Sequence, residues 1–268
     1  MDDARPARTA SRTALAVALA RAAHHAFDEP LILADPLAER LLGPGALDRF
    51  HQEPALLDEP DFHYLRIHVA HRSRYAEDRF AAAFARGVRQ HVVLGAGLDT
   101  FAFRQPAWAQ EARFFEVDHP ASQADKVERL ARAGVAVARN VTFVPIDFES
   151  TPLADGLAAA GFDSTRPAFF SWLGVTMYLR LEAIETVFAY VASLPRESEI
   201  AFTFARPQTP ENATPLGERA RAAGEPWLTG FEPDEMEKRL RALGFREVDF
   251  QRENLGPNHR VSIAHAIV

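Results

Sequence analysis

Cysteine is absent from the 268 residues of this chain, and its absence excludes disulfides, thiolate nucleophiles and cysteine-ligated metals together. An excess of positive charge is also missing. The formal net charge is −7, which argues against a nucleic-acid backbone as the main partner. His68 and His71 share a helical face but lack neighbouring acids, so no metal site is predicted. The predicted location is the cytoplasm, and the predicted partner is a small molecule or a peptide.

Long hydrophobic runs are lacking too. No apolar stretch approaches the length needed to cross a bilayer, so the sequence predicts no membrane partner. The stretch Ala14–Ala20 is short and ends at Arg21, and the acidic Asp2 and Asp3 stand where a secretory signal is basic. This region is therefore predicted to form an amphipathic helix.

The first third of the chain has helical patterns throughout. Helices are predicted over Ser11–Phe27, Pro36–Leu42 and Asp61–Arg86. Ser11 or Thr9 is available to cap the first of them. Residues 1–89 are predicted to form a helical cap and a lead-in helix.

From Gln90 onward, short apolar runs alternate with helical stretches. The runs predicted as strands are His91–Leu94, Arg113–Val117, Val141–Ile146, Ala168–Val175 and Glu199–Phe204. The helices predicted between and after them are Ala121–Ala133, Leu153–Ala160, Leu181–Ala192 and Pro233–Leu243. Strands separated by helices pair in parallel through right-handed crossovers, so the predicted class is α/β with a doubly wound sheet.

Two final apolar runs break this alternation. Phe245–Gln251 and Val261–Val268 are joined by about nine residues, too few for a crossover helix, which predicts an antiparallel pair. A mostly parallel sheet with a closing antiparallel hairpin is typical of Rossmann-like methyltransferases and unusual in dinucleotide dehydrogenases. Residues 90–268 are predicted to form this one compact unit.

The first strand runs into the sequence VVLGAGLDTFAFR, residues 92–104. Gly95 and Gly97 let the backbone turn tightly and let a ligand approach without meeting a Cβ. A dinucleotide site would have a third glycine where Thr100 stands, so a pyrophosphate fits this turn poorly. Two glycines alone are also compatible with a plain strand-to-helix turn.

Carboxylates end the neighbouring strands. Glu116 and Asp118 follow the glycines by about twenty residues, the distance at which a carboxylate meets ribose hydroxyls. Asp147 ends the third strand, where an adenine amino group would arrive. S-adenosylmethionine fits this set because it carries a ribose, an adenine and a positive sulfonium but no phosphate.

These motifs resemble those of the leucine carboxyl methyltransferase family. The matching runs, which span roughly residues 10–195, are SRTALAVALARAAH, DPLAERLL, RQHVVLGAGLDTFAFR, FFEVDHP with a lysine soon after, VPIDF and WLGVTMYL. The chain looks most similar to the bacterial branch of O-methyltransferases linked to polyketide biosynthesis. The resemblance implies a Rossmann-like fold, S-adenosylmethionine as methyl donor, S-adenosylhomocysteine as product, and no metal.

The resemblance also implies a set of cofactor contacts. Arg72 takes the place of an arginine that meets the methionine carboxylate, with Arg74 as the alternative. The glycine turn lies against the methionine part, and Asp118 holds the ribose with help from Glu116. The full implied set is Arg72, Gly95, Ala96, Gly97, Asp99, Glu116, Asp118, Asp147, Phe148 and Leu173.

Asp147 and Phe148, within the implied set, are implied to frame the adenine. In the fourth strand the family has a glutamate before a glycine, whereas here Leu173 precedes Gly174. The missing carboxylate predicts a different substrate orientation or compensation from elsewhere in the chain.

Methyl transfer is an in-line displacement for which an enzyme supplies chiefly alignment and desolvation. A carboxylate acceptor is already ionised at neutral pH, whereas a hydroxyl acceptor usually needs a general base. His259, in the loop between the last two strands, is the best-placed candidate base. Tyr178 is the second catalytic candidate, with a role in shaping the pocket as its alternative.

Side chains expected to meet the acceptor come from the cap and from strand ends. We predict that Arg12 and His24 of the cap, residues 11–42, face an acidic substrate. Thr176 and Arg206 follow the fourth and fifth strands, whose carboxyl ends are where ligands bind.

The leading prediction is a metal-independent O-methyltransferase that acts on a carboxyl group of a small metabolite or a peptide terminus. Hydroxyl methylation of a polyketide-like molecule is the nearest alternative. A nicotinamide-dependent oxidoreductase is opposed by the missing third glycine and the closing hairpin. A non-catalytic cofactor-binding module stays open because of Leu173.

Overall fold

A seven-stranded sheet lies between two layers of helices in the computed structural model, which describes residues 11–148, 150–209, 214–251 and 261–268. The strands are β1 (Gln90–Leu94), β2 (Arg113–Asp118), β3 (Val141–Pro145), β4 (Phe169–Trp172), β5 (Glu199–Ala205), β6 (Glu247–Gln251) and β7 (Val261–Ile267). The helices described are α1 (Arg12–Phe27), α2 (Pro36–Leu42), α3 (Asp48–Gln52), α4 (Pro60–Ala85), α5 (Pro120–Arg132), α6 (Leu153–Ala159), α7 (Leu181–Ala192), α8 (Pro215–Ala222) and α9 (Pro233–Leu243). None of them combines the length and the apolar character that a membrane span requires.

The strand order is β3-β2-β1-β4-β5-β7-β6. The first five strands pair in parallel, while β7 is antiparallel to both β5 and β6. This arrangement confirms the predicted doubly wound, mostly parallel sheet with a closing antiparallel hairpin. Because β1 lies between β2 and β4, the direction of winding reverses there, and such a reversal opens a crevice at the carboxyl ends of the strands.

Helices cover both faces of the sheet, which explains why the central strands lack a polar face. On one face Phe80 of α4 packs against Phe114 and Phe169, with ring centroids 5.9 and 5.5 Å apart. On the other face Phe188 of α7 packs against Trp172 and Phe202 at 5.4 and 5.0 Å. Every residue of β5 is buried as a result.

The N-terminal helices form a smaller cluster beside the sheet. Ala22, Ala23 and Phe50 are buried within it. α1 begins as predicted, since the Ser11 hydroxyl accepts a hydrogen bond of 3.1 Å from the Ala14 N–H. Arg21 ties this cluster to the rest of the chain through contacts that also shape the cavity described next. The division of the chain at residue 89 stays a prediction.

Candidate functional site

A cavity of about 570 Å³ opens at the carboxyl ends of the central strands. This volume lies within the range of small-molecule sites. Its walls come from the glycine turn after β1, from residues at the ends of β2, β3 and β4, from α4, from the first turns of α1, and from the segment 223–228 that follows α8. The crevice predicted from the reversal of winding is therefore a real cavity in the fold.

The glycine turn is held closely from both sides. Gly95 and Gly97 have φ angles of +63° and +45°, in the left-handed region that favours glycine. A Cβ on Gly95 would lie 2.4 Å from Cγ2 of Val175, and one on Gly97 would lie 3.3 Å from Cβ of Ala14. Between them the Ala96 N–H donates to the Val117 carbonyl at 3.1 Å. The turn thus leaves bare backbone against the cavity, as predicted.

Asp118 is fixed at the end of β2 by backbone hydrogen bonds. The Gly97 N–H donates to one carboxylate oxygen, and the His119 N–H donates to the other at 2.6 Å. Burial raises the pKa of Asp118, while the Gly97 and His119 N–H groups act in the opposite direction. A carboxylate has lone pairs left after two such bonds, so it can still accept from ribose hydroxyls.

Glu116 does not help it, which corrects the expectation for this residue. Its side chain is fully buried between helix and sheet, where Nζ of Lys126 lies 2.5 Å from its Oε2. Burial raises the pKa of Glu116 to about 7, against the pull of Lys126. The lysine after the FEVD motif is therefore the counter-ion of this glutamate, and neither residue lines the cavity.

Arg72 projects from α4 into the cavity wall and is 8% exposed. Its guanidinium occupies the space beside Gly174, where a Cβ would lie 2.6 Å from Nη1. Burial, followed by the charge of Arg21, lowers the pKa of Arg72 to about 10. Among the described residues its Nε finds no hydrogen-bond partner. Such a buried cation suits an anionic ligand group, whereas Arg74 is exposed, pairs with Asp78 at 2.8 Å and lies outside the cavity wall.

Asp99 lines the cavity, but its oxygens are engaged within the protein. Arg21 of α1 lies 3.3 Å from Oδ2, and the Phe101 N–H donates to Oδ1 at 2.9 Å. Burial alone would raise the pKa of Asp99, but Arg21, Lys126 and Arg104 together lower it. Asp99 thus anchors α1 to the glycine turn as an ionised carboxylate.

The chain after β3 supplies Asp147 and Phe148 to the cavity wall, and their contact with an adenine stays a prediction. The Phe148 ring packs against Trp172 with centroids 6.4 Å apart. His119 and Ser122, which the sequence analysis did not select, also line this part. Their position directly after the FEVD motif, at the start of α5, is the signal that would have identified them.

Leu173 and Tyr178 lie on the β4 side of the cavity. The residue before Gly174 therefore contributes an apolar surface where the family pattern has a carboxylate. Burial raises the pKa of the Tyr178 phenol, which is consequently protonated at neutral pH. A neutral phenol of this kind can donate a hydrogen bond but does not act as a base.

His24 is placed differently from the prediction. It is completely buried in the cap, where its Nδ1 lies 2.7 Å from Oδ2 of Asp28. The N–H groups of Ile32 and Leu33 both donate to its Nε2. With both ring nitrogens engaged, His24 stabilises the segment after α1 and does not line the cavity.

Thr176 and Arg206 also fall outside the cavity wall. The Thr176 hydroxyl is buried and donates to the Thr203 carbonyl at 2.7 Å. Arg206 turns its partly exposed side chain towards Glu232, 3.9 Å away. Arg12 is the one predicted substrate residue in the wall, and His259 lies outside the described residues.

The sequence analysis found Arg12 but missed the residues around it in the same wall of the cavity. They are Thr13 and Val17 from α1 together with Glu225, Pro226 and Leu228 from the segment after α8. The Thr13 N–H donates to Oε2 of Glu225 at 3.1 Å across 212 positions of the chain. No local pattern reveals a contact between such distant segments. Within the described ranges, no three His, Asp or Glu side chains are grouped as a metal ion would require.

Comparisons with known proteins agree with this geometry. The family model described as leucine carboxyl methyltransferase matches residues 14–192. A Bacillus subtilis protein, YktD, provisionally named an S-adenosyl-L-methionine-dependent methyltransferase, is 33% identical over 264 residues that cover 87% of this chain and 86% of that protein. A similarly named protein of Mycolicibacterium gilvum is 36% identical over 230 residues, with 82% and 73% covered.

Solved structures show the same fold at low sequence identity. A DUF574 family protein from Streptomyces avermitilis aligns with a TM-score of 0.54 and 16% identity, over 96% of this chain and 97% of that one. A protein from Bordetella parapertussis, described as a possible exported protein, aligns with a TM-score of 0.51 and 14% identity, over 95% of this chain and 96% of that one. The two alignments cover 96% and 95% of this chain.

Proposed function

Since this chain belongs to the leucine carboxyl methyltransferase family, we propose that it transfers a methyl group from S-adenosylmethionine to a carboxyl group of a small metabolite or a peptide terminus. Use of S-adenosylmethionine is the property that its curated relatives carry in their names. The carboxyl acceptor is the part of the proposal that extends beyond the family relationship.

The observation that carries this proposal is the buried Arg72 guanidinium in the wall of a cavity that also contains bare backbone at Gly95 and Gly97. An arginine whose Nε has no hydrogen-bond partner among the described residues fits a ligand that brings its own carboxylate. S-adenosylmethionine has such a carboxylate and supplies, when bound, an electrophilic methyl group on a sulfonium. Asp118 would hold its ribose, and Asp147 with Phe148 would frame its adenine.

A carboxylate acceptor suits the chemistry of the remaining wall. The phenol of Tyr178 is protonated at neutral pH and cannot take a proton from an acceptor hydroxyl. An ionised carboxylate needs no such step, because its oxygen is already a nucleophile. The chain then has to align the acceptor and exclude water. This role falls to α1 and the segment 223–228 in the proposal, because both contribute to the cavity wall.

The test is turnover with methyl-labelled S-adenosylmethionine and a panel of carboxylic acids and phenols. A base-labile labelled product, identified by mass as a methyl ester, is the expected result. A base-stable product would mean that a hydroxyl group is methylated and the carboxyl proposal is wrong. Calorimetry with S-adenosylhomocysteine and with NAD separates methyl transfer from the nicotinamide alternative, and the absence of any turnover would favour a non-catalytic module.

Arg12 is expected to attract an acidic acceptor, because it is exposed and lines the cavity. Arg12→Ala should raise the KM of the acceptor severalfold and leave both kcat and the affinity for S-adenosylhomocysteine unchanged. Arg12→Lys, which keeps the charge, is the matched control and should retain the wild-type KM. Equal KM values in the alanine and wild-type proteins would remove Arg12 from the substrate site.

A further inference from the structure

One carboxylate in the cavity has no part in the cofactor contacts proposed above. Glu225 lies in the wall formed by α1 and the segment 223–228, which we call the acceptor wall. Val17, Pro226 and Leu228 give this wall an apolar surface around the acid, and Leu228 is 57% exposed at its edge. An acidic group within an apolar surface is a candidate for selecting a ligand.

Glu225 is held in a fixed position by the start of α1. The Thr13 N–H, one of the first-turn amides that no helical carbonyl can accept, donates to Oε2 at 3.1 Å. The Thr13 hydroxyl donates to the same oxygen. Two donors from the first turn of α1 therefore fix the position of this carboxyl group. Among the described residues Oε1 has no hydrogen-bond partner, so this oxygen remains able to accept from a ligand.

An acidic side chain at this position affects which carboxylic acids can bind beside it. A simple carboxylate meets another negative charge there, and like charges at close range are unfavourable. An ammonium group on the acceptor would reverse this effect by donating a charge-assisted hydrogen bond to Oε1. The apolar body of the same molecule would pack against Val17, Pro226 and Leu228.

We infer that Glu225 determines acceptor specificity, and that the acceptor is an amino acid whose ammonium group binds Glu225 while its carboxylate receives the methyl group. This inference rests on the proposed function and narrows its substrate class. Leu173 leaves the cavity without the carboxylate that the fourth-strand pattern would supply. The alternative role for Glu225 is therefore to bind the ammonium group of the cofactor.

The experiment is calorimetry on the full chain saturated with S-adenosylhomocysteine. The probes are two pairs, L-phenylalanine with 3-phenylpropanoate and L-leucine with 4-methylpentanoate, whose members differ only in the ammonium group. Each pair is titrated into wild type, Glu225→Gln and Glu218→Gln. The glutamine at 225 can still accept from Thr13, so the wall is preserved, and Glu218 is an exposed control on α8 outside the cavity.

In wild type and Glu218→Gln we expect each amino acid to bind about tenfold more tightly than its partner, the size of one charge-assisted hydrogen bond. In Glu225→Gln the two should bind equally. A wild type that binds none of the four probes, or binds both members of a pair alike, would overturn the inference, as would a preference that survives in Glu225→Gln. Weaker S-adenosylhomocysteine binding by Glu225→Gln would assign the residue to the cofactor instead.

Failure of the proposed function has a different signature in the same experiment. If wild type does not bind S-adenosylhomocysteine at all, methyl transfer itself is the wrong function. If it binds this molecule but shows no ammonium preference, only the role of Glu225 is wrong. Labelled turnover of the four probes gives a second measure of the same preference as a ratio of kcat/KM.

Discussion

At the scale of single residues, Arg72 is the clearest sign of a ligand. A buried cation whose Nε has no hydrogen-bond partner among the described residues is unfavourable for the folded chain, because the hydration lost at this nitrogen is not replaced. Gly174 makes room for it, since any side chain there would meet the guanidinium. Groups that are unfavourable for stability and face a cavity are characteristic of binding sites.

Substituting Arg72 should separate stability from binding. Arg72→Met removes the buried charge and keeps most of the volume, so the free protein should be as stable as wild type or more stable. Affinity for S-adenosylhomocysteine should fall by about tenfold or more, the effect of losing a charged hydrogen bond. Thermal unfolding measures the stability, and calorimetry measures the affinity for S-adenosylhomocysteine.

Arg74→Met is the matched control, two residues further along the same helix. Its side chain is exposed and paired with Asp78, so neither unfolding temperature nor affinity should change appreciably. Loss of affinity in Arg74→Met but not in Arg72→Met would reverse the assignment of the carboxylate ligand.

At the scale of elements, the glycine turn is shaped by its neighbours as much as by its own sequence. Val175, just beyond β4, fills the space above Gly95, and Ala14 of α1 approaches Gly97. Arg21 and Asp99 fasten the same helix to the turn. The turn is consequently a junction of three elements, and its shape depends on all of them.

Gly95→Ala should destabilise the chain for two reasons that can be measured separately. The left-handed backbone conformation disfavours alanine by about 1–2 kcal/mol, and the new Cβ would overlap Val175. Adding Val175→Ala should remove the destabilisation caused by the overlap and leave the destabilisation caused by the backbone conformation. Denaturant unfolding of both single variants and the double variant forms a complete cycle. Strictly additive changes in unfolding free energy would show that the overlap is not the cause.

Most elements could be predicted from the sequence because their apolar spacing is strong and their ends carry local signals. α7 and α9 have the predicted bounds, and the Ser11 cap is in place. The strand predicted over 168–175 is shorter because the chain turns at Gly174, where φ is +74°. The short helices α3 and α8 were missed, since one or two turns give little periodicity.

The site was only partly predictable, for a different reason. Residues on the strand ends and the turn are close in a local motif, so Gly95, Gly97 and Asp118 were found together. Glu116 shares a strand face with Asp118, yet Lys126 pairs with it inside the fold. Contacts of this kind depend on how distant helices pack, which the periodicity of one segment does not encode.

At the scale of the whole molecule, several ionisable groups are buried between the helix layers and make the fold sensitive to pH. His91 is the clearest case. Its ring lies 4.3 Å from Phe80 and near Phe114 and Phe169, and its Nε2 lies 3.0 Å from the Ser171 hydroxyl. Burial lowers the pKa of His91 to about 3, with Asp99 opposing it weakly.

This shift predicts a loss of stability in mild acid. Between the ordinary pKa of 6.5 and the folded value of about 3, the unfolded chain binds a proton that the folded chain does not. The contribution of neutral His91 to the free energy of unfolding is therefore complete above pH 6.5. It is lost as the pH falls, by up to about 1.4 kcal/mol per pH unit. His91→Gln, which cannot titrate, should show a shallower slope of unfolding free energy between pH 4 and 6.5, whatever its absolute stability. Parallel slopes for the two proteins would mean that His91 does not govern the acid response.

The bond between Thr13 and Glu225 has a practical consequence for redesign. Two segments that are 212 positions apart in the chain contact each other as a matched pair, in which Thr13 donates from its amide and its hydroxyl and Glu225 accepts. A chimera that takes the first helix from a homologue, without also taking the stretch around position 225, would contain only one partner of this contact. A chimera designed to test the specificity inferred for Glu225 should therefore exchange both segments in a single step.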